Sequence, residues 1–457
     1  MINSKKITVL FVLFVSITSF SQNKKWTLQE CVNYALKNNI SIQQSELDVK
    51  FNQVAKSDAI GNFLPNLNAN SSHSWNIGLN QNITTGLLEN QTTQFTSAGL
   101  NSNVAIYNGL QNQNRLRKAN LSLLASQFQL AKMKDDVALN IANSFLQILF
   151  NKENLKVQKD QLAVDEKQLS RTQSLVEAGV VARGDLLDVQ ATVASGKQRI
   201  IAAENVLFLS KLGLAQLLQL TDYQNFDVED SNQLSVQNTT VLDNPAAVVE
   251  KAKADRVELK IAKTNLEIAE KDIKIAKGAY QPSLNGFYSF STRASYSDRV
   301  IGFDTSGAAI LAPPLPLFDQ FSNNKGHNFG LQLSIPVFNG FAVKNNVERA
   351  KLSFERSKIA SKTAELDLER NVYTAISDAK GAINMHEAAV IAMNARKEAM
   401  NYAKEKYEVG LLNSFDYNQA QTLYTNAQSE VVRTKYDAIF KIKVVEFYFG
   451  IPISELN

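Results

Sequence analysis

Two hydrophobic periods alternate along this chain. Between residues 65 and 77 the period is two. Leu67, Ala69, Trp75 and Ile77 fall on one face, and Asn66, Asn68, Asn70, Ser72, Ser74 and Asn76 on the other. That pattern predicts a strand with one polar face. A second strand is expected over about 95–107, with Leu100, Val104 and Ile106 on one side. The same alternation returns later. Leu284, Tyr288, Phe290 and Tyr296 alternate with polar residues, and Phe329, Leu331, Leu333, Ile335 and Val337 do so opposite Asn328, Gln332 and Ser334.

Elsewhere the period is helical. Residues 26–60 read as one helix, with Thr27 as N-cap and Glu30 at the capping-box position. Gly61 and Pro65 end it. From Leu110 to Glu177 there is neither proline nor glycine. That is about 68 residues, or about 100 Å of helix. A second long helix spans 341–408, interrupted only by Gly381. Part of it steps three then four through Ala382, Met385, Ala389, Ala392, Arg396, Ala399 and Ala403. This alanine-rich heptad seam allows close helix approach, and Arg396 breaks it, either as a solvated residue or as a pore-facing or partner-facing charge. Shorter helices are expected over 185–220, 245–277 and 416–448. The polar, acidic stretch 221–244 reads as a connector.

Each long helix ends in a short motif that occurs twice, over 178–184 and 409–415. Gly179 and Gly410 end one helical pattern, and Asp185 and Asp416 stand six positions later where another begins. Glycine takes the left-handed conformation that ends a helix. Aspartate is expected to cap the next helix by accepting a backbone N–H. In the first copy Val180 replaces the leucine of the second, and Gly184 falls inside the expected loop.

The two motifs belong to a duplication of the whole chain. Shifting by 217 residues places Val32 on Val249, Ala59 on Ala276, Gly61 on Gly278 and Pro65 on Pro282. Shifting by 231 places Leu100 on Leu331, Gly109 on Gly340, Gly179 on Gly410 and Asp185 on Asp416. The difference between the offsets lies wholly between the strands, so the second hairpin carries the longer loop. That loop contains Pro313-Pro314-Leu315-Pro316, which cannot be helix. The repeats are expected over 22–220 and 245–457.

Composition narrows the compartment. Lys5 and Lys6, then the apolar run Ile7 to Phe20, then Ser19-Phe20-Ser21 before Gln22, form a secretory signal over 1–21. Beyond it no run approaches the roughly twenty apolar residues of a spanning helix. The processed chain is therefore expected to lack one. Lys5 and Lys6 account for two of the net +4 charges, which leaves no pull toward nucleic acid. The single cysteine, Cys31, reads as a small apolar residue on a helix face.

Catalytic chemistry has no foothold. The three histidines, His73, His327 and His386, have no metal-ligand spacing. There is no phosphate loop and no nucleophile elbow. The acidic residues lie beside Lys and Arg on helix faces, as solvated charges do. No enzymatic activity, cofactor or metal is expected.

One-sided strands suit a barrel wall between lipid and water. Four strands cannot close a barrel, and an open sheet in lipid would leave its edges unpaired. Several chains must then share one barrel, and strand arithmetic alone allows eight, twelve or sixteen strands. A coiled-coil periplasmic or surface protein, adhesin-like and without transport, accounts for the helices without a membrane.

The order of motifs resembles the TolC-type outer-membrane efflux proteins. The residues that carry it are Trp26-Thr27-Leu28-Gln29-Glu30-Cys31-Val32, the helix-to-strand steps Phe63-Leu64-Pro65 and Tyr280-Gln281-Pro282, the strand-to-helix steps Tyr107-Asn108-Gly109 and Pro336-Val337-Phe338-Asn339-Gly340, and the two tips. The resemblance covers essentially the whole processed chain. It implies an internally duplicated α+β membrane protein, a homotrimer. Its long coiled-coil α-helical barrel would cross the periplasm, and four β-strands per chain would contribute to a shared 12-stranded transmembrane β-barrel in outer-membrane lipid. It implies an exit duct for efflux or type I secretion. The tips would dock a periplasmic adaptor linked to an inner-membrane resistance-nodulation-division (RND) or ABC pump. By position, Gly179, Val180, Val181, Gly410, Leu411, Leu412 and Asp416 match the docking tip, and Asp185 falls where the family has a gate carboxylate.

Overall fold

The computed structural model describes residues 25–82, 86–230, 236, 240–451 and 453. The export signal expected over 1–21 lies outside the described residues. In chain order the elements are β1 (Lys25–Trp26), α1 (Leu28–Asn38), α2 (Ile40–Gly61), β2 (Asn68–Gln81), β3 (Leu88–Asn108), α3 (Gln111–Glu177) and α4 (Arg183–Leu217). The second half follows with β4 (Asp227–Val228), α5 (Pro245–Asp255), α6 (Val257–Gly278), β5 (Ser283–Ser295), β6 (Arg299–Phe303), β7 (Ala309–Ala312), α7 (Leu317–Asn323), β8 (Gly326–Ser334), α8 (Ala342–Glu408) and α9 (Ser414–Phe449). The chain divides into a helical unit (Met1–Leu47, Phe128–Ile261, Lys362–Asn457) and a sheet-bearing unit (Asp48–Gln127, Ala262–Ser361).

The sheet unit holds four antiparallel strands in the order β2-β3-β5-β8. Its register repeats the duplication residue for residue. His73 pairs with Thr96 in the first hairpin, and their counterparts Phe290 and His327 pair in the second. Asn68 pairs with Asn101, and Asn285 with Gln332. Between the hairpins β3 pairs with β5, with one bulge between Ala105 and Tyr107. Trp75, Ile77, Leu100, Phe329, Leu331 and Leu333 share one face and are exposed on it. The strands β2 and β3 run past the expected limits, and β8 stops at Ser334, short of Ile335 and Val337.

The longer second loop is ordered. Strands β6 and β7 pair in it, and α7 starts directly after the proline run, with Pro316 in its N-cap position. A proline there costs nothing, because the N–H it lacks would have no helical partner.

The turn from strand to long helix uses the same backbone in both halves. Gly109 and Leu110 take φ of 66° and 58°, and Gly340 and Phe341 take 59° and 65°. A Cβ on Gly109 would overlap the Gly278 carbonyl oxygen.

In the helical unit, two apolar clusters share the duplication. Val32, Ala35, Ile141 and Leu214 lie in one, and their counterparts Val249, Ala252, Val372 and Val445 in the other. Cys31 is fully buried in the first cluster, and burial pushes its thiol up to about 12. The expected single helices over 26–60 and 245–277 are each broken. The break falls at Asn39 and at its counterpart Arg256, with nearly the same backbone (φ −65°, ψ 130° and φ −66°, ψ 132°). Both side chains are buried, and each has a reason to hold the break. The Asn39 amide donates to the Leu217 carbonyl (3.0 Å) and accepts from the Ser41 N–H (2.9 Å). The Arg256 guanidinium pairs with Glu258 (3.0 Å) and lies 4.0 Å from the Phe447 ring centre. The Thr27–Glu30 capping box is present. The connector contributes β4, which pairs in parallel with β1.

One helix bears on the expectation that the processed chain lacks a span. Helix α4 contains a stretch long and apolar enough to cross a membrane by length and composition only, and little of it is buried within the chain. Residues 200–217 carry only Glu204 and Lys211 as charges. Those two charges interrupt the apolar run but leave the stretch apolar on the whole. Gly184, Gly196 and Gly213 do not interrupt this helix, nor does Gly381 interrupt α8. Of the heptad seam on α8, Ala382 is buried within the chain, whereas Met385, Ala392, Arg396 and Ala399 are exposed.

Candidate functional site

Both tips form the same hydrogen-bonded turn. Gly179 (φ 72°) donates to the Val176 carbonyl, and Val180 to Leu175 (3.0 and 2.9 Å). Gly410 (φ 80°) donates to Tyr407, and Leu411 to Lys406 (3.1 and 2.8 Å). This is the Schellman arrangement, which satisfies two carbonyls at a helix end and requires a left-handed residue.

The capping role expected of the aspartates is not what the structure shows. Helix α4 starts at Arg183 with Ala182 as N-cap, and no side chain caps it. Helix α9 starts at Ser414, and its cap is Asn413, which accepts from the Asp416 N–H (2.8 Å). Asp185 and Asp416 both sit in the first helical turn. Carboxylates there still favour the helix, through its positive N-terminal dipole end. Gly184 lies inside the helix and not in the loop.

Freed from capping, the two aspartates do different things. Asp416 is exposed, and its carboxylate accepts from the Asn413 amide (3.0 Å). Asp185 faces the other repeat, where its Oδ1 accepts from the Ser414 hydroxyl (3.1 Å). Further links join the two tips. Arg171 pairs with Glu408 (3.2 Å), the Asn418 amide donates to Thr192 (3.4 Å), and Thr425 donates to Gln161 (2.7 Å). Within the second tip Tyr407 and Tyr417 stack with ring centres 5.0 Å apart and planes 6° off parallel. Burial comes first in pushing the Tyr417 hydroxyl upward, helped by the nearby Glu408 charge.

Sequence reasoning placed Gly179, Val180, Val181, Asp185, Gly410, Leu411, Leu412 and Asp416 at the tips, and the structure puts them there. Val180 and Leu411 project into solvent, 67% and 78% exposed, while Val181 and Leu412 are half-buried. Sequence reasoning missed Arg171, Glu408, Ser414 and Tyr417. Only the doubling of tyrosine across the second turn, at Tyr407 and Tyr417, marked any of them.

Behind the tips α3, α4 and α9 enclose a polar cavity of about 340 Å³, lined by Gln161, Asp165, Arg199, Gln421 and Thr425 among others. Asp165 is 2% exposed. Its Oδ1 accepts from the Gln161 amide (2.7 Å), and its Oδ2 has no partner. Burial pushes this carboxyl above the usual range, against the pull of that hydrogen bond and of Arg199.

Among the described residues no group of three His, Cys, Asp or Glu side chains is arranged to hold a metal ion. His386 faces Thr434 (3.2 Å).

The chain is similar in sequence and fold to outer-membrane proteins. Residues 31–219 and 248–439 match the family profile described as outer membrane efflux protein. Over 452 residues the chain is 22% identical to the outer membrane protein TolC of Vibrio cholerae, covering 96% of this chain and 94% of that one. Its fold is similar to the outer membrane protein VceC of Vibrio cholerae, with a TM-score of 0.75 and 15% identity over 93% of this chain and 96% of that one. The Campylobacter jejuni CmeC outer membrane channel gives a TM-score of 0.73 and 17% identity over 94% and 86%.

Proposed function

The chain belongs to the outer membrane efflux protein family, and from that premise we propose that it is the exit duct of a tripartite efflux or type I secretion system. It is an outer-membrane protein of the efflux-channel class and a passive channel, not an enzyme. In this reading the duplicated helical fold with four strands, similar to VceC and CmeC, is one copy's share of a trimeric, twelve-stranded barrel.

The observation that carries the reading is the four-stranded sheet. It exposes an apolar face, and its outer strands β2 and β8 each have a single neighbour. Such a sheet is stable in lipid only when further copies pair with both edges and close the ring. A coiled-coil surface protein leaves that apolar face without a role.

In this reading three copies assemble, and the exposed seam of α8 and the apolar surface of α4 meet helices of neighbouring copies. The tips dock a periplasmic adaptor through Gly179, Val180, Val181, Gly410, Leu411, Leu412 and Asp416. The solvent-facing Val180 and Leu411 supply apolar contact there. Asp185 holds the gate. Transport energy comes from an RND or ABC pump in the inner membrane.

Purified protein inserted into a planar bilayer should give small or gated conductance steps. It should require detergent for extraction and run as a trimer. A soluble monomer without bilayer activity overturns the reading.

A further inference from the structure

We propose that β8 of one copy pairs with β2 of the next in the register the chain already uses between β3 and β5. This rests on the shared-barrel reading above and adds the seam to it, residue by residue.

The argument starts from the duplication. β2 and β5 are counterparts at an offset of 217, and β3 and β8 at an offset of 231. The structure obeys those offsets within hairpins, because the His73–Thr96 pair becomes Phe290–His327. Each copy therefore contains one junction between repeats, β3 with β5. The ring needs a second junction of the same kind, β8 with the neighbour's β2.

Applying the offsets converts one junction into the other. The Ala98–Thr292 pair becomes Phe329 with Trp75 of the next copy. The Leu100–Phe290 pair becomes Leu331 with His73. On the opposite face, Ser97–Arg293 becomes Asn328 with Asn76, and Asn101–Ser289 becomes Gln332 with Ser72.

The transposed pairs keep the two faces of the sheet apart, and one of them joins two large exposed aromatics. Phe329 and Trp75, 77% and 59% exposed in the single chain, form an aromatic cross-strand pair on the apolar face. The amides and hydroxyls meet on the polar face. Slipping the register by one residue would put Trp75 against Asn328 and mix the faces. A slip of two keeps the faces but breaks the equivalence of the two junctions.

Paired cysteines in the full-length chain test the register. Cβ atoms directly opposite lie about 4.5–5.5 Å apart, whereas diagonal neighbours lie about 7–8 Å apart, beyond easy disulfide reach. Cys31 is fully buried and serves as a silent background. On oxidation in detergent, Phe329→Cys with Trp75→Cys should yield covalent dimers and trimers on a non-reducing gel. Phe329→Cys with Ile77→Cys, or with His73→Cys, should yield at least tenfold less. Leu331→Cys with His73→Cys repeats the test should the first pair fail to fold. If a shifted pair cross-links best, or if a protein that sizes as a trimer cross-links in none, the register is overturned and the duct reading stands. If the unmodified protein sizes as a monomer in detergent, the duct reading itself falls, and the seam with it.

Discussion

The Ser414 hydroxyl donates a 3.1 Å hydrogen bond to the Asp185 carboxylate across 229 residues of chain. The two residues are not counterparts in the duplication, because Asp185 corresponds to Asp416 and Ser414 to Arg183. A tip that repeats almost identically in backbone is therefore joined by an asymmetric contact. The first tip lacks a side-chain cap, and its acid is occupied by the second tip. Arg171 and Glu408 reinforce the same junction.

Breaking that junction should loosen the tips. A hydrogen bond to a charged group contributes about 1.5–3 kcal/mol, and the half-buried position of Asp185 places this one toward the lower end. Asp185→Ala and Ser414→Ala should each raise single-channel conductance or antibiotic entry without reducing trimer yield. The double variant should do little more than either single one. Additive effects of the two substitutions would separate the residues and remove the latch.

The helix starts should respond oppositely to a swap of caps. Asn413→Ala removes a satisfied cap and should cost about 1 kcal/mol. Ala182→Asn offers a cap where the backbone already has the required extended shape (φ −71°, ψ 149°). It should protect the first turn of α4. Hydrogen exchange of residues 183–187 and 414–418 reads both effects, and faster exchange in Ala182→Asn counts against the account.

The strand-to-helix turns separate two costs. Gly340→Ala meets open space and pays only for its left-handed backbone, about 1–2 kcal/mol. Gly109→Ala pays that and also collides with the Gly278 carbonyl. The second variant should lose trimer yield and heat resistance on a semi-native gel, while the first keeps most of both. Equal damage from the two would show that the close approach to Gly278 is not tight.

Asp165 makes stability depend on pH in a defined direction. Burial raises its carboxyl pKa in the folded chain. The ionised form is the disfavoured one, so the cost is full above the raised value and is relieved as pH falls through it. Asp165→Asn should raise the melting temperature at pH 8, and the gain should shrink toward pH 4. A gain that grows on acidification contradicts this sign.

Much of the fold was legible because its signals are local. Period-two and period-3.6 patterns name elements wherever they run long, and the glycines at 109, 179, 340 and 410 mark backbones that other residues avoid. The breaks at Asn39 and Arg256 were not legible. Neither residue is a helix breaker by type, and each holds its break through distant partners, Leu217 in one case and Phe447 in the other. The capping error has the same root. Asp is a good cap in general, but the chain started its helices at Arg183 and Ser414, earlier than periodicity placed them.

What the sequence determined by itself is the duplication, the element types and the positions of the tips, because each depends on residues close together in the chain. The tertiary structure decided which side chains meet. It set the four-strand order and register, the Ser414–Asp185 and Arg171–Glu408 links between tips, and the burial of Asp165. Those depend on distances between residues hundreds of positions apart, and no local period encodes them.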